Sequence, residues 1–148
     1  MKACTTIYMT ETHVVLYCEH KEPGGVYRVS DPMVKLERSK TTIKSLGQAA
    51  LDILEASGVF KDTRDFATLT KAMVTFAGFK TWGALANATD STCWLEADEK
   101  QVTITPAFRD GRGFSADPDG IVTCKRTVES LGKALFEVLK IEPDNSSA

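Results

Sequence analysis

Apolar and polar residues alternate along the first third of this chain, recur every three or four positions through the middle, and then alternate again. The opening alternation has the period of strands. Residues 3–9 (ACTTIYM) and 13–18 (HVVLYC) are β-branched, aromatic and apolar, with Thr10-Glu11-Thr12 as a tight link. Pro23-Gly24-Gly25 signals a turn. Residues 26–29 and, beyond Asp31-Pro32, residues 33–36 then read as two half-buried antiparallel strands.

At Thr42 the period changes. Thr42 has the chemistry of an N-cap, Leu46, Ala49, Ala50, Ile53 and Leu54 fall on one helical face, and Gly58 is placed to close the helix. A second helix starts near Thr63 or Asp65, carries Phe66, Leu69, Met73 and Phe76 along one side, and stops at Gly78. A shorter amphipathic piece over 81–88 packs through Trp82 and Leu85. Residues 92–96 and 101–105 return to period two and read as a hairpin around 97–100, ended by Pro106. The glycine- and charge-rich stretch 108–120 reads as a long surface loop, and 121–124 as one more strand before a last helix. Residues 143–148 are expected to be a disordered tail.

That last helix repeats the first. Lys40–Leu54 and Lys125–Leu139 align without a gap and share Lys40/Lys125, Thr42/Thr127, Ser45/Ser130, Leu46/Leu131, Gly47/Gly132, Ala49/Ala134 and Leu54/Leu139. Thr127 stands where Thr42 stood, and Leu131, Ala134, Leu135, Val138 and Leu139 reproduce the apolar face. A glycine inside a helix costs about 1 kcal/mol relative to alanine. Its recurrence at matched positions predicts that another backbone or a bulky ring approaches closely at both Gly47 and Gly132. Each copy follows a strand, so the chain reads as two related strand–helix units sharing a sheet. The expected fold is α+β: one domain over residues 1–142, an antiparallel or mixed sheet of roughly five to seven strands, and helices packed mainly on one face.

Composition narrows the function classes. The chain has 148 residues, enough for one domain with a real core, and 43% hydrophobic and 26% charged residues are ordinary for a globular protein. A net charge of −2 gives no global basic field for nucleic acid or membranes. No long apolar run marks a signal peptide or a membrane span, so a cytoplasmic location is expected. Cys4, Cys18, Cys93 and Cys124 are scattered, and in a reducing compartment they read as core-filling thiols.

Catalytic and metal-binding patterns are weak. Cys18 and His20, with His13 nearby, could begin a metal site, but structural zinc needs four convergent ligands. A thiol enzyme using Cys93 or Cys18 would need an adjacent base, and both histidines lie at the other end of the sequence from Cys93. Asp117-Pro118-Asp119-Gly120 resembles part of a calcium loop without the remaining oxygen ligands, and reads as a turn. Weight therefore moves to binding. The candidates are the acidic hairpin tip (Glu96, Asp98, Glu99) and the charged loop (Arg109, Asp110, Arg112, Asp117, Asp119).

An ordered set of fragments carries a family resemblance. It consists of residues 42–57 (TIKSLGQAALDILEAS), Gly78-Phe79-Lys80-Thr81-Trp82 leading to Trp94, residues 102–106 (VTITP), Gly113-Phe114, and residues 127–139 (TVESLGKALFEVL). Together they span about residues 40–140 and resemble the immunity proteins of bacterial contact-dependent growth inhibition systems, the CdiI group. The resemblance implies a cytoplasmic, non-enzymatic protein without cofactors. Its partner would be the C-terminal toxin domain of a CdiA-type surface protein, frequently a nuclease, neutralised by covering its active site or substrate surface. The family supplies no catalytic residues to transfer; the tight inhibition it implies would want buried anchors, for which Phe108, Phe114 and Tyr27 are the loop aromatics. A rival binding role is a small adaptor or regulatory subunit acting on a housekeeping protein.

Overall fold

A computed structural model describes residues 2–59 and 61–142; the tail expected over 143–148 lies outside the described residues. The strands are β1 (Ala3–Thr10), β2 (His13–Lys21), β3 (Tyr27–Glu37), β4 (Thr89–Ala97), β5 (Gln101–Asp110), β6 (Gly113–Ala116) and β7 (Val122–Lys125). The helices are α1 (Ile43–Ala56), α2 (Phe66–Ala77), α3 (Trp82–Ala88) and α4 (Val128–Leu139). All strand pairs are antiparallel, in the order β3-β2-β1-β4-β5. The outer edge of β5 is shared end to end by β7, along residues 101–104, and β6, along residues 107–110.

The strand period sorts side chains between the two sheet faces. Ile7, Met9, Val14, Leu16, Cys93, Leu95, Val102 and Ile104 form the main core under α1 and α4. Tyr8, Val15 and Tyr17 turn the other way and pack on Met73, Val74, Ala77 and Leu85 of α2 and α3. The fold is α+β with a seven-stranded sheet. Its main helical layer occupies one face, and a smaller layer takes part of the other.

The repeated helices pack against each other at their glycines. A Cβ on Gly47 would lie 2.0 Å from the Val128 carbonyl oxygen, and one on Gly132 would lie 2.1 Å from that of Ile43. The close neighbour is therefore backbone, not a ring, and it is reciprocal. The leucines beside these glycines are sealed in the main core: Leu46 and Leu131 are both 0% exposed. Both helices also start alike. The Ser45 N–H donates to Thr42 Oγ1 at 3.0 Å and the Thr42 N–H to Ser45 Oγ at 2.8 Å, while the Ser130 N–H donates to Thr127 Oγ1 at 3.3 Å.

Four local expectations are corrected. Residues 27–29 and 33–36 belong to one strand, β3, because Tyr17 pairs with Met33 and Cys18 with Ser30, leaving Asp31 and Pro32 as a bulge; Val26 precedes it. A proline is tolerated there because β3 is an edge strand. Pro106 does not end the hairpin; it pairs with Cys93 inside β5. In an extended strand a residue's N and O face the same edge, and the Pro106 carbonyl accepts from the Asp117 N–H at 2.8 Å. The missing N–H therefore faces the gap between β7 and β6 and costs no β4 bond. Most of 108–120 is not loop: Asp110 pairs with Gly113 across a two-residue turn whose Gly111 has φ 61°, and β6 follows. Finally, Ser57 rather than Gly58 caps α1, with its N–H donating to the Ile53 and Leu54 carbonyls.

Candidate protein-binding surface

The sequence-derived binding residues fall into two groups along β5, one at the β4–β5 turn and one reaching from Pro106 to the β5–β6 turn. At the β4–β5 end, Glu96 pairs with Lys2 at 3.3 Å, and Glu99 is exposed at the tip. Asp98 holds the turn: its Oδ1 accepts from the Lys100 N–H at 2.8 Å and the Gln101 N–H at 2.7 Å, which pulls its carboxyl below the usual range. At the β5–β6 end, Phe108 is 53% exposed and Asp110 accepts from Ser115 Oγ at 2.6 Å. Asp117 accepts from the Asp119 N–H at 3.2 Å in a short 3-10 turn over Pro118–Gly120. Phe108, Phe114, Asp117 and Asp119 border a cavity of about 610 Å³ that reaches α4. Phe114 also packs on Tyr8 and Trp82, at centroid distances of 5.9 and 6.2 Å.

The residues singled out by the repeat stand apart from any such surface. Leu46, Gly47, Leu131 and Gly132 are all buried where α1 crosses α4. Leu131 and Leu46 therefore present no side-chain surface to a partner or ligand, and their matched positions mark packing rather than a site. Thr42 and Thr127 are spent on capping their own helices.

Of a second surface, on the face that carries α2 and α3, sequence reasoning named Glu96 and Tyr27 but neither Glu19 nor the groove around it. Beyond those helices the sheet continues as a row in which Cys4 pairs with Glu19 on one side and with Glu96 on the other, and Thr6 pairs with Trp94. A trough of about 350 Å³ lies here, lined by strand residues alone, including Glu19, Tyr27, Trp94 and Glu96. Glu19 and Tyr27 also line an adjoining groove of about 570 Å³ between the β2–β3 hairpin and α2. Tyr8, Leu69 and Met73 give the groove apolar walls, while Val26 (64% exposed) and Phe66 (69% exposed) form its rim. Phe66 therefore leaves the helical core stripe to which its spacing assigned it.

The charges around the groove are unevenly matched. Glu22 pairs with Arg28 at 2.9 Å, and Glu96 with Lys2. Glu19 has no cation at ion-pair distance among the described residues. Burial pushes its carboxyl above the ordinary glutamate range, against a smaller opposing effect of a Thr6 hydrogen bond. The signal was present in the sequence: Val15, Tyr17 and Glu19 occupy one face at period two, so a charge continues an apolar stripe.

The residues considered for catalysis or metal are engaged locally. His13 Nδ1 lies 2.8 Å from Thr12 Oγ1, His20 Nε2 lies 2.7 Å from the Asp31 carbonyl, and the Cys18 thiol donates to the Ile53 carbonyl at 3.4 Å. Burial pushes the Cys4 thiol up to about 11 and Cys18 up to about 12, and raises Cys93 and Cys124. Among the described residues no group of three His, Cys, Asp or Glu side chains is placed to hold a metal ion, and no helix is long and apolar enough to cross a membrane.

No protein-family model and no curated protein matches the sequence. Solved structures share the fold. A protein of unknown function, NMB0488 from Neisseria meningitidis, superposes with a TM-score of 0.80 at 18% identity, covering 95% of this chain and 94% of that one. A chain of the CdiA-CT/CdiI toxin and immunity complex from Yersinia pseudotuberculosis superposes with a TM-score of 0.70 at 16% identity, covering 95% of this chain and 97% of that one.

Proposed function

We propose that this chain is an immunity protein that binds the C-terminal toxin domain of a CdiA-type surface protein. It neutralises that domain by covering its active site or substrate surface. The supporting observation is the end-to-end likeness of its fold to a chain of a toxin and immunity complex, joined to the ordered CdiI-like fragments between residues 40 and 140. In this reading the protein acts by occlusion, with no catalytic group of its own.

The toxin is proposed to be a nuclease. A nuclease cleft attracts phosphate and is therefore basic, and acidic side chains on an inhibitor speed its approach. Glu99 and Asp119 are the cleanest probes of such steering, because both are exposed and neither side chain holds a turn, whereas Asp98 and Asp117 do. Glu99→Lys and Asp119→Lys should slow association severalfold at low salt and lose that effect at high salt.

Co-expression with the proposed CdiA-type toxin domain, sought in the reading frame immediately upstream, is the decisive experiment. Rescued growth and a co-purifying complex are the expected result. Unrescued growth with no complex would remove the immunity reading and leave an adaptor role.

A further inference from the structure

Among the described residues, Glu19 is the acid lining the groove that has no cation at ion-pair distance, whereas the neighbouring acids Glu22 and Glu96 are paired. Its carboxyl has a hydrogen bond with Thr6 and no ion pair among the described residues, while its backbone ties two elements together. The Glu19 carbonyl accepts from Ser57 Oγ, tying β2 to the end of α1. We propose that the groove is a socket for one lysine or arginine side chain of the partner, with its methylene stem against Tyr8, Leu69 and Met73 and its cation on the Glu19 carboxylate. The identity of that partner as a toxin domain rests on the immunity reading; the socket itself does not.

Three features favour this occupant over a purely apolar one. The groove's walls suit a flexible hydrocarbon stem that ends in charge. Its exposed rim residues Val26 and Phe66 would close around the stem and exclude water, as energetically mild contacts do around a central anchor. A carboxylate already partly withdrawn from water has paid much of its desolvation before the partner arrives, so a cation brought to it meets a strong, undiluted field. An apolar side chain in the same place would instead bury Glu19 completely without a counter-charge. The trough that shares Glu19 and Tyr27 extends the contact towards Trp94 and Glu96, so the socket sits near the centre of a larger face.

The test uses the full chain, labelled with nitrogen-15, and two small probes of one shape: benzamidine, a cation, and benzamide, which is neutral. Benzamidine should shift the amides of Glu19, Tyr27, Val29, Leu69 and Met73 in a saturable way, and benzamide should not. Glu19→Gln should keep the native spectrum and weaken benzamidine binding about tenfold or more. Shifts that scatter over the surface, equal responses to both probes, or undiminished binding to Glu19→Gln would overturn the socket. A second arm measures the affinity of the upstream toxin domain. Wild-type binding with a loss of about tenfold or more in Glu19→Gln assigns the occupant. Equal toxin affinity in both would overturn the inference and leave the immunity reading standing. A wild-type protein that binds benzamidine but no toxin would overturn that reading and its occupant, and keep the socket.

Discussion

At Gly47 and Gly132 the cost of a methyl group decides the sign of a substitution. Alanine would raise helix propensity by about 1 kcal/mol at each position. It would also place a carbon 2.0 or 2.1 Å from a carbonyl oxygen of the facing helix, which is backbone and cannot swing aside. Overpacking of this kind costs about 1–3 kcal/mol or more. Gly47→Ala and Gly132→Ala should therefore each lower the melting temperature, and a rise in either would disprove the close-contact account. Glu19 works in the opposite sense. Its folded pKa is raised by burial, so the native state binds this proton more tightly than the unfolded chain does. Its favourable contribution is complete below the unfolded pKa and is lost as pH rises through the folded value. Around it lie Cys4, Tyr27, the Glu22–Arg28 pair and the Lys2–Glu96 pair, and the glutamine variant leaves all of these in place. Glu19→Gln should melt higher than wild type at pH 7, with the difference shrinking towards pH 4; a lower melting point at pH 7 would reverse this assignment.

The repeated helices show how a matched sequence becomes a matched contact. Thr42 takes part in a reciprocal cap and Thr127 in a single longer bond. Thr42→Ala should therefore cost more than Thr127→Ala, about 1–2 against about 0.5–1 kcal/mol, by denaturant unfolding. Equal costs would mean that the second cap bond matters little. Because one crossing holds both glycines, the double alanine variant should cost less than the sum of the singles. These elements were legible because caps, spacing and glycine placement are local properties of the chain, and the burial of Leu46 and Leu131 follows from the same spacing. The long β3 and β5 were not. Asp31-Pro32 and Pro106 are breakers by local chemistry, and only neighbouring strands reveal that their missing N–H groups face an edge or a gap. The extension of β5 through Phe108, Arg109 and Asp110 is likewise set by pairing with β6, which composition cannot display.

Across the whole molecule, the two faces of the sheet are covered unequally. One is sealed by α1 and α4, while α2 and α3 cover only part of the other and leave the trough and groove beside Glu19. The α+β class and the helix order could be read from periodicity. The groove could not, because Val26, Glu19 and Phe66 come from three separate elements or turns and meet only after folding. The acidic residues singled out by composition are on the surface, but β5 holds the two groups apart.

The two borders of the sheet set a further limit on how this protein meets others. One border is broken by the bulge at Asp31 and Pro32, the other by the junction between β7 and β6. Neither offers a straight row of free N–H and C=O groups onto which a neighbouring chain could crystallise strand by strand. Recognition is thereby channelled away from promiscuous ribbon growth and towards side-chain shape and charge. Deleting Asp31 and Pro32 together should straighten one border and produce concentration-dependent self-association in sedimentation runs. A deletion variant that folds and stays monomeric at every concentration would show that the bulge has no such protective role.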